Sequence, residues 1–485
     1  MTSYSVPADT PGTLIIGGAA VPGAAGTFEV TNPADGSVLA AIADADTAQG
    51  LAALDAAARA QDTWRRTAPR ERAELLRAAF EEITRRRDDF ALLMTLEMGK
   101  PLAESHGEVT YGAEFVRWFA EQAPRIAGRY ASTPEGMLRQ LITRRPVGPC
   151  LFITPWNFPL AMATRKIAPA LAAGCTVVIR PASATPLTTL LFAKVLADVG
   201  LPDGVVNVIT CRCHDVTDAI IADPRLRKLS FTGSSPVGQS LAAAAARNGL
   251  RVSMELGGNA PFIVFGDADV DAAVDGAVAA KMRNMGQACI AANRFIVHES
   301  CAPEFTEKLT ARLSGLVCGD GAEPGTQVGP LISAADRDAI AGLVDRAIAA
   351  GARATCGARI PDLPGSYYQP TVLTGVAPDA EIMTTEIFGP VAPITTFRTE
   401  EQALAIANSV PAGLAGYVFT RDLDRIQRFA DAMETGMIGA NTGLLSNAAA
   451  PFGGVKQSGV GREGSFEGIE EYLETVYVAL PDPWR

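Results

Sequence analysis

Histidine is scarce, with three in 485 residues (His106, His214 and His298), so chemistry built on an imidazole base has few candidates. An excess of positive charge is missing too. Lys and Arg number 42 against 53 Asp and Glu, a net charge of −11, which excludes the basic footprint that a nucleic acid or an anionic membrane requires. It also means that an anionic substrate must be attracted by local positive charge against the global field. No apolar run approaches the roughly 20 residues of a membrane span. Met1 to Gly23 carries no basic segment ahead of Leu14-Ile15-Ile16, which is too short for a signal sequence. The eight cysteines lack paired spacing and read as reduced thiols of a cytoplasmic protein. Cys211-Arg212-Cys213, beside His214, is the one close cluster, and no second cluster completes a metal site. The expectation is a cytoplasmic protein with no metal and no nucleic-acid or membrane partner.

What is present fits a soluble enzyme: 48% hydrophobic and 20% charged residues, in a chain long enough for about two to three domains. Thr27 to Val30 alternates like a strand before the turn Asn32-Pro33-Ala34-Asp35-Gly36, and Thr47 to about Gln122 is helical. Gly128–Tyr130 and Met137–Thr143 read as a hairpin turning at Pro134-Glu135-Gly136. Between Pro149 and Leu256, strands at Cys150–Thr154, Thr176–Ile179, Val205–Ile209, Lys228–Phe231 and Val252–Met254 alternate with helices at Leu160–Ala173, Pro186–Val199 and Pro236–Asn248. That alternation predicts a doubly wound parallel sheet of the Rossmann type. A second α/β pattern follows from Gly257 to about Gly443. The tail Glu471–Leu480 alternates like an edge strand, which needs a partner and could find it in a neighbouring subunit.

Four motifs carry the chemistry. In Met282–Arg294, Gly286-Gln287 interrupts a helical pattern just before Cys289 and delivers that thiol to a turn. A free cysteine is more often a small buried hydrophobe than a nucleophile, so its company matters. Thr154-Pro155-Trp156-Asn157-Phe158-Pro159 sits at a strand's carboxyl end, where such sheets bind ligands, and Asn157 offers an amide donor there. Phe231-Thr232-Gly233-Ser234-Ser235-Pro236-Val237-Gly238 has the outline of a phosphate cradle, strand then glycine turn then helix, without the G-x-G-x-x-G fingerprint. Glu255-Leu256-Gly257-Gly258-Asn259 places a carboxylate at a strand end beside two glycines.

In this order and spacing the motifs resemble the aldehyde dehydrogenase superfamily. The likeness runs from Asn32-Pro33 through Glu386-Ile387-Phe388-Gly389-Pro390 to Pro451-Phe452-Gly453-Gly454-Val455-Lys456 and Gly461-Arg462-Glu463-Gly464. Within the family, Glu255–Phe265 and the context of Arg165 and Arg283 most resemble the succinate-semialdehyde dehydrogenases. The resemblance implies an α/β fold with a Rossmann-type cofactor domain (1–125 and 148–256), an α/β catalytic domain (257–443) and a small β oligomerisation domain (126–147 and 466–485) in a homodimer or homotetramer. It makes Cys289 the nucleophile, Glu255 the base and Asn157 an oxyanion donor with the Cys289 backbone N–H. It assigns the cofactor to Thr154, Pro155, Trp156, Arg180, Ser183, Gly233, Ser234, Gly238, Glu386 and Phe388. Arg165, Arg283 and Ser446 would hold a carboxylate at the substrate's far end.

The chain departs from the family's pattern at Arg180, where a lysine is usual, at Cys211–Thr217, where a glycine-rich segment is common, and at Ala291, where semialdehyde relatives carry a second cysteine. The cofactor expected is NADP or NAD, with NADP favoured because Ser183 can donate to a 2′-phosphate that a carboxylate would repel. The rival substrate is glutarate semialdehyde, one methylene longer. A CoA-acylating enzyme is disfavoured by Glu255, and a catalytically silent member of the fold by the intact set Cys289, Asn157, Glu255 and Glu386.

Overall fold

A computed structural model describes residues 4–484; Met1 to Ser3 and Arg485, which fall in the expected ranges 1–125 and 466–485, lie outside the described residues. The helical stretch from Thr47 is four helices, Thr47–Trp64, Pro69–Arg85, Arg87–Met98 and Leu102–Gln122. Proline explains two of the breaks: Pro69 opens one helix at its first turn, and Gly99, with φ of 96°, closes another before Pro101. Ahead of them Thr27–Thr31 pairs with Val38–Ala43 as a hairpin.

The first large sheet holds five parallel strands in the spatial order Val206–Val208, Val177–Arg180, Cys150–Ile153, Lys228–Thr232, Arg251–Glu255. The strand earliest in sequence is central, so the winding reverses between Cys150–Ile153 and Lys228–Thr232, and ligands bind at the carboxyl ends beside such a reversal. Thr154, Gly233 and the end of the Glu255 strand all lie there. Antiparallel edges come from far away in sequence: Leu14–Ile16 joins one side and Gly459–Val460 the other. One connecting helix, Asp215–Ala222, is absent from the sequence reading, although Val216, Ile220 and Ile221 bury one face of it.

The second sheet has seven strands, with Ala260–Val264 and Ala292–His298 near its centre and Thr371–Thr374, Val391–Phe397, Ala415–Phe419 and Met437–Ala440 parallel to them. Its central strands are buried almost throughout, as strands covered on both faces must be.

The tail strand Leu473–Pro481 finds its partner within its own chain: it pairs along its full length with Leu138–Pro146, which in turn pairs with Arg129–Ser132. This three-stranded arm has little core of its own. Tyr130 is 60% exposed and Tyr477 53%.

Candidate active site

The nucleophile loop begins where the helix Val270–Met282 ends in the single turn Arg283–Gly286. Asn284 and Met285 take left-handed φ values of 55° and 53°, and Gly286 continues at 75°. Gly286 has no room for a side chain, because a Cβ there would collide with the Gly389 carbonyl. This turn stops the helix short and leaves Cys289 partly exposed at the head of the strand Ala292–His298. Gly258 packs so closely on the Cys289 carbonyl that it too must be glycine, and Tyr417 anchors the loop by donating to the Ile290 carbonyl at 2.8 Å.

Cys289, Asn157 and Glu255 line one cleft of about 280 Å³. The Asn157 amide nitrogen donates to the Gln287 carbonyl at 3.1 Å while its oxygen accepts from the Phe158 N–H at 3.1 Å. One of the two amide hydrogens remains for a ligand. Glu255 is buried and neither carboxylate oxygen has a hydrogen-bond partner. Burial, reinforced by the charge of Glu463, holds its carboxyl well above the usual range against the pull of Arg165 and Lys166. Burial likewise pushes the Cys289 thiol up to about 12, with Arg165 opposing and the Glu386 and Glu255 charges adding to the rise.

Both shifts have the same consequence for rate. A base with a raised pKa stays protonated to higher pH, and so does the thiol. We expect kcat/KM for aldehyde oxidation to rise with pH from the acid side through neutrality and into the alkaline range; a maximum on the acid side in a pH–rate profile would contradict this.

The two arginines expected at a substrate carboxylate have different surroundings. Arg165 is 1% exposed, its Nε is ion-paired with Glu463, and its guanidinium lies 4.0 Å from the centre of the Phe452 ring. Its charge is matched by Glu463, and its Nη2 is buried without a hydrogen-bond partner. Arg165 nevertheless lines the same cleft as Cys289. Among the described residues Arg283 has no carboxylate within 4.0 Å. Its Nη1 donates to Ser446 Oγ at 3.1 Å, and it rests on the rings of Phe158 and Tyr111 at 4.9 and 5.3 Å. Arg283 and Ser446 line the cleft with Cys289.

On the cofactor side, Pro155, Trp156, Gly233, Ser234, Glu386 and Phe388 line the same cleft. Trp156 meets Phe388 edge-on at 5.4 Å, and Phe388 holds a left-handed φ of 52°. Glu386 Oε1 accepts from the Gly258 N–H at 3.0 Å, and burial raises its carboxyl to about 7. Thr232 Oγ1, also on the cleft, is buried without a partner. A glycine turn opening the helix Ser235–Ala246, an unsatisfied hydroxyl and a carboxylate with one oxygen unused fit a dinucleotide.

The remaining expected positions lie off this lining. The Thr154 N–H donates to the Arg180 carbonyl at 3.1 Å. Arg180 spends Nε and Nη2 on the Cys211 carbonyl at 3.3 and 3.0 Å, so the divergent 211–214 segment grips this side chain. Ser183 is exposed beyond the same strand. Gly238 faces Leu256, whose side chain a Cβ would strike, so its smallness serves helix-on-strand packing.

Sequence reasoning missed several buried charges around the site. Glu463 binds both Arg165 and Lys166, the latter at 2.6 Å. Lys100, Glu104 and Glu108 pack behind Asn157 and Asn284. A signal existed, since Arg165-Lys166 interrupts an otherwise apolar helix and Glu463 sits in a glycine-flanked motif quoted above without a role.

All eight cysteines are free. With Ala291 where a second thiol could stand, peroxide should carry Cys289 through sulfenic acid to higher oxides. Mass spectrometry of mildly oxidised protein checks this, and an intrachain disulfide to Cys289 would refute it.

Residues 20–478 match the aldehyde dehydrogenase family, and the chain belongs to it. A succinate-semialdehyde dehydrogenase of Paenarthrobacter nicotinovorans is 58% identical over 449 residues, covering 92% of this chain and 100% of that protein. A 3-sulfolactaldehyde dehydrogenase of Pseudomonas putida is 47% identical, covering 94% of this chain and 93% of its own length. The crystal structure of an NADP-dependent enzyme of E. coli superposes with a TM-score of 0.96 at 44% identity, covering 98% of each chain.

Proposed function

We propose that the protein oxidises an aldehyde bearing an anion at its far end, succinate semialdehyde first among them, with NADP favoured over NAD. The observation that carries this reading is Arg283, a guanidinium without a carboxylate partner, facing the cleft that holds Cys289. Succinate semialdehyde and 3-sulfolactaldehyde, named for two relatives, both carry such an anion. A planar guanidinium with Ser446 beside it suits a carboxylate.

The residues then divide the work. Arg283 and Ser446 hold the far carboxylate and aim the aldehyde carbon at Cys289. The thiolate adds to that carbon, and the free amide hydrogen of Asn157 with the Cys289 N–H meets the oxyanion of the thiohemiacetal. A bound nicotinamide would supply the hydride acceptor, and Cys289 would then carry the acyl group as a thioester. Glu386 would hold the nicotinamide ribose, and Phe388 would pack near the ring. Glu255, with both oxygens unsatisfied, takes a proton from the water that hydrolyses the thioester.

The test is a kcat/KM panel of succinate semialdehyde, glutarate semialdehyde and a neutral aldehyde of similar length with both cofactors. Preference for the neutral aldehyde would overturn the reading. One methylene changes a pocket's preference by only about 1–3 kcal/mol, so the two semialdehydes should both react. For the cofactor, exposed Ser183 beside Arg180 favours the 2′-phosphate, as an NADP-dependent structural relative supports. Ser183→Glu should swing the ratio of kcat/KM values towards NAD; an unchanged ratio would place the phosphate elsewhere.

The exposed apolar residues of the arm, Tyr130, Leu138, Tyr477 and Val478, support a homodimer or homotetramer built through that sheet.

A further inference from the structure

Three successive residues at Asn284, Met285 and Gly286 hold left-handed backbone, and two of them carry side chains. Such strain persists only where neighbours enforce it. Here the enforcing contacts are specific. The Asn284 N–H donates to Glu104 Oε2 at 2.5 Å, and its side-chain amide donates to both the Asn157 carbonyl (3.0 Å) and the Gln287 carbonyl (2.9 Å). The Gln287 carbonyl also receives the Asn157 amide. Lys100 Nζ donates to the Asn157 carbonyl at 2.8 Å and is ion-paired with Glu108, whose other oxygen accepts from Leu160 and Ala161 at the start of the helix Pro159–Ala173. A closed ring of hydrogen bonds therefore joins the oxyanion donor to the loop that carries Cys289, and from the Gly99–Glu108 region buried Lys100 and Glu108 and half-buried Glu104 clamp it from behind.

We infer that Glu104 is a positioning residue that sets the geometry of Asn157 against Cys289 through the left-handed Asn284, with Lys100 and Glu108 holding the other side of the same ring. Without the Glu104 acceptor, Asn284 can relax out of its strained conformation, and its amide then leaves both carbonyls. The Asn157 amide loses its register with the thiol. Glu255 stands apart from this ring, so thioester hydrolysis is not what suffers. The inference rests on the proposed roles of Cys289 and Asn157, and a cofactor-free reaction tests it separately from the dehydrogenase reading.

The reaction is acyl transfer from p-nitrophenyl acetate. The Cys289 sulfur bonds to the acyl carbon, the C–O bond to p-nitrophenolate breaks, and the thiol proton passes to solvent. Loss of p-nitrophenol release in Cys289→Ala verifies the nucleophile. The measurement is the first-order rate of acylation per active site, with sites counted by Cys289 alkylation. Losing one hydrogen bond to a charged group corresponds to about 10- to 100-fold, so Glu104→Ala should slow acylation per site by that order. Glu104→Gln keeps an acceptor and should stay within about threefold of the parent. Asn284→Gly tolerates the left-handed backbone while deleting the amide, so it should fold and still be slow. A purely structural role would lower the number of active sites and leave the rate at each one unchanged; that result, or a Glu104→Gln enzyme as slow as Glu104→Ala, overturns the inference.

Discussion

Replacing Cys289 with alanine leaves no measurable aldehyde oxidation, while Glu255→Gln gives one burst of reduced cofactor followed by little turnover. The two outcomes differ because the side chains act at different steps. Without the sulfur at the head of the strand Ala292–His298 no thiohemiacetal forms, and no other cysteine lines the cleft. Glutamine at position 255 has almost the shape of glutamate but cannot accept a proton, so acylation and hydride loss proceed and the thioester waits. The burst should approach one equivalent per active site in rapid-mix absorbance. Position 255 suits this experiment, since the carboxylate makes no hydrogen bond that the amide would break. A Cys289→Ala enzyme that still oxidises aldehyde would remove the mechanism. A Glu255→Gln enzyme with full steady-state turnover would leave the mechanism without its base.

Arg283→Ala should lose kcat/KM for succinate semialdehyde by about 30- to several-thousand-fold, the equivalent of about 2–5 kcal/mol for breaking a desolvated charge pair. A neutral aldehyde of the same length should lose much less, because it never used the guanidinium. Equal losses for both substrates would reduce Arg283 to a support for the fold. Its surroundings make the comparison clean: among the described residues its hydrogen bond goes to the hydroxyl of Ser446 and it has no carboxylate partner, so its removal strands no carboxylate. Arg165→Ala is the contrasting control. It leaves Glu463, 4% exposed, with Lys166 alone, and breaking such a buried pair costs about 3–5 kcal/mol of stability. Thermal unfolding should therefore move strongly in Arg165→Ala and little in Arg283→Ala.

Local pattern made much of the architecture legible. The strands and helices from Cys150 to Glu255 announce themselves through short apolar runs, proline starts and glycine stops, and the structure places five strands there in parallel. The hairpin near Pro134 was readable from its turn residues. The helix Asp215–Ala222 is short and follows directly on the Cys-Arg-Cys-His run, which masks its pattern, although its buried residues keep helical spacing.

By itself the sequence determined the fold class, the family and the identity of the groups that gather around Cys289, because ordered motifs and hydrophobic periodicity are properties of neighbouring residues. It could not say which charges neutralise one another, since that depends on contacts between segments hundreds of residues apart. Arg165 meets Glu463 from 298 positions away, Arg283 donates to Ser446 and rests on Phe158 and Tyr111, and the tail strand closes on Leu138–Pro146 of its own chain. The pairing of Arg165 and the freedom of Arg283 were decided by tertiary structure alone: a buried cation takes whichever carboxylate the fold brings to it, and the one left unpaired in the cleft is free for a ligand.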